Sequence, residues 1–438
     1  MEALPLIFFA VVLIMLLLGF PVAFTLGGVS LIFGLFIFGL NFFNLLPLRI
    51  WGIMSNYILL AVPLFIYMGV MFEKSGLAEE LLETMALLFG KLRGGLAISV
   101  LAVGTLLAAA TGIVGATVVT MGVLSLPTML KKGYDPEVST GIISASGTLG
   151  QIIPPSIVLV LLGSVLNISV GDLFIAAVFP GFILVFLYLL WIIYNALFNP
   201  KSVPAMPAEE RANFIGIVKL KKVVTAFIIP FFLILAVLGS IFAGIASPTE
   251  AAAIGAFGAT CLTIIRGKFN LTTLKEVMER TTTLTSMAFT ILVGAAAFGL
   301  VFRGMGGDRY LTELITTSNL SPNHFLAIVM VIIFVAGFFI DFIEITFIIV
   351  PVVAPIFISL NIDLLWIGIL IAINLQTSFL TPPFGFSLFY LKGVAPKSIT
   401  TKHIYKGIIP YVAIQLTGLA LVIFFPDLAL WLPKFLSN

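Results

Sequence analysis

The chain has 438 residues, of which 61% are hydrophobic and only 9% charged, with a formal charge of +3 and a mean hydropathy of +1.24. Soluble domains carry roughly 25% charged residues, so most of this chain cannot face water, and a set of soluble domains is excluded. Two histidines and the single Cys261 supply no disulfide or thiolate metal cluster.

A helix needs about 20 apolar residues to cross a bilayer. The N-terminal Met-Glu-Ala-Leu-Pro lacks the basic region of a cleaved signal peptide and opens the first predicted span. Uninterrupted spans are predicted at 3–18, 21–40, 57–73, 170–197, 223–245, 249–266, 276–302 and 403–425. Four further apolar stretches are interrupted. Residues 96–131 break at Thr111 to Thr117, and 137–165 at Gly147 to Pro155. Residues 325–360 break near Gly337 to Thr346, and 364–391 at Thr377 to Pro383. Each could be a broken crossing or a re-entrant hairpin, and apolarity does not choose between them.

Lys and Arg do choose, because cytoplasmic loops carry the excess of positive charge. With 96–131 and 325–360 as hairpins and the N-terminus outside, eighteen of the 22 basic residues fall in the cytoplasm. Arg49, Arg303, Arg309 and Lys434 remain outside. The swapped assignment sends the basic loop 198–222 outside. The first topology gives five crossings plus one hairpin in residues 1–197, and the same set in 223–438 after a cytoplasmic linker at 198–222. An odd number of crossings per half inverts the second half and leaves both termini outside.

Landmarks recur at a constant offset, as a duplication requires. Pro127, Asp135, Pro154 and Pro155 match Pro355, Asp363, Pro382 and Pro383 at 228 residues. Gly27 and Gly255 also match at 228, and Pro21 and Pro248 at 227. Inverted repeats with paired, Pro/Gly-interrupted segments mark secondary transporters, with the binding site at the interruptions. An unpaired backbone group costs several kcal/mol in hydrocarbon, so a break persists only inside protein or beside a wet cavity. Carbonyl and hydroxyl oxygens there suit a hard cation, and half-helix N-termini suit an anion. Pro154 and Pro382 are expected near the first position of their second half-helices.

Three stretches carry a family resemblance: Ser144 to Ser156 (SASGTLGQIIPPS), Ser247 to Gly255 (SPTEAAAIG) and Thr381 to Gly393 (TPPFGFSLFYLKG). Together they resemble the large membrane subunit of tripartite ATP-independent periplasmic (TRAP) transporters, over essentially the whole chain. The resemblance implies an all-α, ion-transporter-superfamily fold with a scaffold and an elevator-type transport domain. It also implies Na⁺-coupled uptake of an organic anion in a bacterial inner membrane, with no organic cofactor. The implied partners are a small four-helix membrane subunit and a periplasmic substrate-binding protein, with no nucleic acid.

The resemblance places one Na⁺ site where the first hairpin tip meets the first interrupted crossing. Its candidate ligands are Thr111, Gly112, Gly115, Thr117, Ser144, Ser146, Gly147 and Thr148. Close helix packing is the alternative use of such small residues. The second junction offers Gly337, Asp341, Glu344, Thr346, Asn374, Thr377 and Ser378. Asp341 and Glu344 are intramembrane acids and therefore functional candidates. They are expected as cation ligands or as acceptors holding the hairpin; a wetted hairpin surface is the bland alternative. Half one has Ile113 and Ala116 at the matching positions, so the two cation sites would differ chemically. Substrate candidates are Ser146, Gln151, Pro154, Ser156, Asn374, Gln376, Thr381 and Pro382. No basic residue is placed to clamp a carboxylate at mid-membrane, so half-helix N-termini, hydroxyls, amides and bound Na⁺ are expected to hold the anion.

Other polar groups have structural explanations. Ser247-Pro248-Thr249-Glu250 is a capping box. His324 and His403 sit at span ends. Residues 77–90 and 308–316 are amphipathic and suit membrane-plane arms, with Glu79, Glu80 and Glu83 as a solvated face. No G-x-x-x-x-G-K-[ST] loop supports an ATP-driven pump, and no nucleophile–base or metal constellation supports an enzyme. A channel, or a stand-alone Na⁺/dicarboxylate carrier, is the competing function.

Overall fold

A computed structural model describes residues 4–207, 209, 222–317, 321–383 and 385–436. The linker's Arg211, Lys219 and Lys221, and Phe384 of the third motif, lie outside the described residues. Among those described, every regular element is helical. The α-helices in chain order are α1 (Leu4–Leu17), α2 (Val22–Phe38), α3 (Leu46–Met54), α4 (Ala61–Lys74), α5 (Leu77–Phe89), α6 (Gly95–Thr111) and α7 (Val114–Lys131). They continue with α8 (Pro136–Thr148), α9 (Ile157–Leu166), α10 (Val170–Phe198), α11 (Ile229–Phe242), α12 (Pro248–Ile265), α13 (Leu271–Gly304) and α14 (Gly307–Thr317). The last are α15 (Pro322–Ala336), α16 (Phe342–Ile348), α17 (Val350–Ser359), α18 (Leu364–Leu380), α19 (Phe386–Val394), α20 (Thr401–Phe424) and α21 (Asp427–Leu436). Seven helical stretches of the described residues are long and apolar enough to cross a bilayer singly.

All four stretches are interrupted, although Thr377–Leu380, expected in the last break, are still helical, and the second hairpin resumes its helix at Phe342. Gly112, at φ +60°, ends α6 and turns the chain into α7 through Ile113. That left-handed backbone is open to Gly without the Cβ penalty other residues meet. The others are Leu149–Ser156, Gly337–Asp341 and Thr381–Gly385. The offset of 228 recurs in three dimensions. Asp135 and Asp363 each cap their helix, accepting from Glu137 N and Leu365 N at 2.8 Å. Gly39 and Gly267 both have positive φ, and both Pro-Pro bonds, 154–155 and 382–383, are cis.

Packing is reciprocal between the halves. Helix α4 lies on α12 and α2 on α13; α8 lies on α20 and α10 on α18; α7 lies on α19, and α16 and α17 on α9. Each contact has its repeat-related twin. Helices α2, α4, α12 and α13 form a frame, beside which α6–α10 and α15–α20 form a core set. On the side predicted cytoplasmic, Lys74 pairs with Glu276, Arg280 with Glu73 and Lys222 with Glu83.

The structure departs from the expectations at several points. Helices α9 and α19 restart only at Ile157 and Phe386, with Ser156 and Gly385 as N-caps. Pro154 and Pro382 therefore lie in the turns, not at a first helical position. Residues 46–54, between two predicted spans, form α3, too short to span. The second hairpin's return limb bends by 49° between α16 and α17. Pro351 explains the bend: it cannot donate to the Phe347 carbonyl and its ring crowds that turn. Glu80 is no solvated face: Arg266 binds it and also donates to Thr225 O at 2.8 Å, fixing α5 to α12. The capping box at Ser247–Glu250 is present, with Ser247 N donating to Glu250 Oε2 at 2.7 Å. His324 and His403 both occupy the third position after a Ser321 or Thr400 cap.

Candidate functional site

Each hairpin tip is shaped by its own short-range bonds. At the first, the Thr111 and Thr117 hydroxyls lie 2.7 Å apart, and Thr117 donates to Ile113 O at 3.1 Å. This ties the end of α6 to the first turn of α7. At the second, Asp341 N-caps α16 by accepting from Phe342 N at 2.7 Å. Glu344 Oε2 accepts from Asp341 N at 2.7 Å, completing a reciprocal capping box. Both carboxylates thus hold the tip's backbone.

The two tips converge. Ile113, Val114 and Gly115 from the first, with Asp341, Phe342 and Ile343 from the second, line one cavity of about 120 Å³. The first residue of α9, Ile157, closes it with Phe379, Tyr390 and frame residues Val62, Ile66 and Met287. A Cβ on Gly115 would press on the Tyr390 ring, so Gly sets the tip's approach to α19. Neither α9 nor α19 carries a side-chain cap. Their first-turn N–H groups point their partial positive charge at the turns before them.

Behind the tips, the interrupted helices α8 and α18 bury a polar cluster. Ser144, Ser146, Thr148, Gln151, Ser156, Asn374, Gln376, Thr377 and Ser378 are all at most 1% exposed. Several are engaged locally. Thr148 donates to Ala145 O at 2.9 Å, Ser156 to Gln151 O at 2.8 Å, and Thr377, Ser378 and Thr381 to backbone carbonyls of their own helix. Asn374 spans to a neighbouring helix, its amide nitrogen donating to Met330 O of α15 at 2.7 Å. Others lack partners among the described residues: Ser144 Oγ, both amide atoms of Gln151, Gln376 Oε1 and Thr346 Oγ1. Buried polar atoms are normally satisfied, and oxygens of this kind are the type that a hard cation or a polar solute takes as partners.

The packing of tip against interrupted helix follows the repeat. A Cβ at Gly337 would collide with the Ser378 side chain, and one at Gly150 with the backbone of Ala108. Position 150 matches 378 at the repeat offset, and 108 lies next to the match of 337. One half puts its smallest residue on the interrupted helix and the other on the hairpin. Gly147 likewise abuts Val118.

Of the predicted site residues, Gly115 and Asp341 reach the cavity wall. Thr148 and Gln376 meet each other, and Thr111 and Thr117 bond across the first tip. Ile113, Tyr390, Met287 and Phe379 are cavity residues that sequence reasoning did not single out. Tyr390 lay within the quoted Thr381–Gly393 motif, so a signal for it existed.

Residues 9–428 match the family described as the tripartite ATP-independent periplasmic transporter, DctM component. The chain is 31% identical to the C4-dicarboxylate TRAP transporter large permease protein DctM of Vibrio cholerae, covering 98% of this chain and 97% of that protein. It is 29% identical to the ectoine TRAP transporter large permease protein TeaC of Halomonas elongata, over 95% and 96%. Against the sialic acid TRAP transporter large permease protein SiaM of Vibrio cholerae it is 28% identical, over 96% of each. In fold it is similar to the crystal structure of the Alcanivorax borkumensis YdaH transporter, with a TM-score of 0.64, 15% identity and 98% of both chains covered. The chain therefore belongs to the family of TRAP transporter large permease proteins, multi-span membrane transporters rather than enzymes.

Proposed function

We propose that this permease imports a small organic anion together with Na⁺ across a bacterial cytoplasmic membrane. The anion is a C4-dicarboxylate, sialic acid or another sugar or keto acid. It is delivered by a periplasmic binding protein, and the permease works beside a small four-helix membrane subunit. Residues 1–197 and 223–438 act as inverted repeats joined by the 198–222 linker. The frame is the scaffold, and the core set moves against it as an elevator.

The observation that carries this reading is the convergence of both hairpin tips on one cavity, backed by partnerless buried oxygens on the interrupted helices. In the proposal, one Na⁺ is held at the first tip by Thr111, Gly112, Gly115, Thr117, Ser144, Ser146, Gly147 and Thr148. A second is held by Gly337, Asp341, Glu344, Thr346, Asn374, Thr377 and Ser378. The carboxylate lies between the turns of α9 and α19, near Ser146, Gln151, Pro154, Ser156, Asn374, Gln376, Thr381 and Pro382. Helix dipoles and bound Na⁺ supply the positive charge there.

The experiment is uptake into proteoliposomes holding the permease and its small subunit, with ligand-loaded binding protein outside. Uptake should require an inward Na⁺ gradient and saturate. Uptake unchanged when K⁺ replaces Na⁺ would refute the coupling. Uptake without binding protein would instead point to a stand-alone carrier.

A further inference from the structure

On the side predicted to be outside, the frame carries two arginines with no role in the hairpin cavity. Arg49 lies on the short helix α3 and Arg303 at the end of α13. Both line a cavity of about 460 Å³ whose other walls are apolar, chiefly Leu45, Leu48 and Leu300. Gly52, Ile53, Ala296 and Arg303 also border a second cavity of about 220 Å³. This second space runs between the frame and the core set, reaching Ser164, Phe347 and Pro351. Within it, Asn56 donates to Ser164 Oγ at 3.1 Å, joining the segment before α4 to α9.

The charges here are one-sided. No carboxylate lines either cavity among the described residues. Arg303 donates to Gly299 O at 3.2 Å, and its charge reaches Asp308, whose carboxyl burial pushes up while Arg303 pulls it down. Arg49 forms no ion pair among the described residues. Guanidinium groups offer a planar fork that matches a carboxylate. Apolar walls focus their field into the space between them.

We propose that the Arg49–Arg303 cavity is an outer anteroom that receives the carboxylate of an incoming organic anion and passes it to the crevice bridged by Asn56 and Ser164. This inference rests on the outward orientation and anionic substrate of the function proposed above. The same guanidinium pair would also suit the phosphate of an anionic lipid, so the test separates the two sources.

Gly52 lies between the two cavities, and a Cβ there meets no atom within 4 Å. A reporter thiol, Gly52→Cys, in a Cys261→Ala background is therefore tolerated. The permease with its small subunit is placed in phosphatidylcholine nanodiscs. Labelling is timed with an anionic (ethylsulfonate) and a cationic (ethyltrimethylammonium) methanethiosulfonate. The expected result is an anionic-to-cationic rate ratio about tenfold above that of the Arg49→Gln, Arg303→Gln double variant. Succinate should slow labelling only with the arginines present. A ratio unmoved by removing both arginines overturns the proposal. So does an anion preference that vanishes once phosphatidylglycerol enters the disc, which assigns the pocket to lipid. As a check free of the thiol, the ionic-strength dependence of uptake should flatten in Arg49→Gln. The labelling ratio needs no Na⁺ gradient, so this inference and the Na⁺-coupled reading can fail separately.

Discussion

Gln376 and Thr148 touch across the centre of the protein, the amide donating to the hydroxyl at 3.5 Å, and they are 228 positions apart. That separation is the offset at which the sequence landmarks recur, so under the proposed duplication the two are equivalent residues of the two halves. A residue that meets its own counterpart lies on the axis relating them. Under the proposed inverted repeat, the axis passes between α8 and α18 at this contact. Both residues of the contact are fully buried.

Removing this contact should affect transport more than stability. Thr148 keeps its bond to Ala145 O in a Gln376→Met variant of similar volume, so the loss is chiefly one neutral hydrogen bond, about 1 kcal/mol. Thermal stability of the purified protein should fall by a few degrees, while uptake should fall at least about tenfold if Gln376 serves the solute. Equal, modest losses in both would assign Gln376 to packing alone.

The swapped small residues at the two tips permit a double-mutant cycle. Gly337→Ala should destabilise by roughly 1–3 kcal/mol, because the added methyl overpacks against Ser378. Ser378→Gly added to it recreates the pattern of the first half, with Gly on the interrupted helix, and should recover most of the loss. Additive destabilisation, measured by thermal unfolding in detergent, would show that the two sites are not coupled.

Asp341 separates charge from capping. Asn is as good an N-cap as Asp, so Asp341→Asn should keep α16 intact while removing the carboxylate. The expected outcome is near-native stability with a raised Na⁺ requirement for uptake. Glu344→Ala, which removes the acceptor for Asp341 N, should instead lower stability by about 0.5–2 kcal/mol.

On the side predicted cytoplasmic, Arg266 joins Glu80 and Thr225 O, tying α5 to α12. Arg266→Met leaves a half-buried carboxylate without its partner, a cost of about 1–3 kcal/mol. The double variant with Glu80→Gln should be the more stable of the two, as read by thermal unfolding.

Much of this architecture was legible because breaks in apolar runs are rare and expensive, and each half reports them independently. The pairing of Pro154-Pro155 with Pro382-Pro383 marks both interrupted helices in the sequence itself. Side-chain destinations were less legible. Asn374 and Thr381 are candidate substrate groups by residue type, and the structure adds what no residue type announces: the Asn374 amide donates to Met330 O and the Thr381 hydroxyl to Thr377 O. Nothing local distinguishes an amide that faces a cavity from one that spans to a neighbouring helix. Helix α3 is hard to read from sequence because nine residues fall short of a span's length and give too few turns for a period to stand out. Tyr390 reaches the cavity only because Gly115, over 200 positions away, leaves room for its ring.

Reciprocal packing also constrains how the protein is made. Helix α7 finds its partner in α19, and α9 in α16 and α17, all of which leave the ribosome long after the first half. Until then, the broken backbone around Gln151 has no second half to shield it from lipid. An isolated amino-terminal half is thus an orphan for quality control to remove, whereas two halves synthesised as separate polypeptides in one cell contain everything needed to find each other.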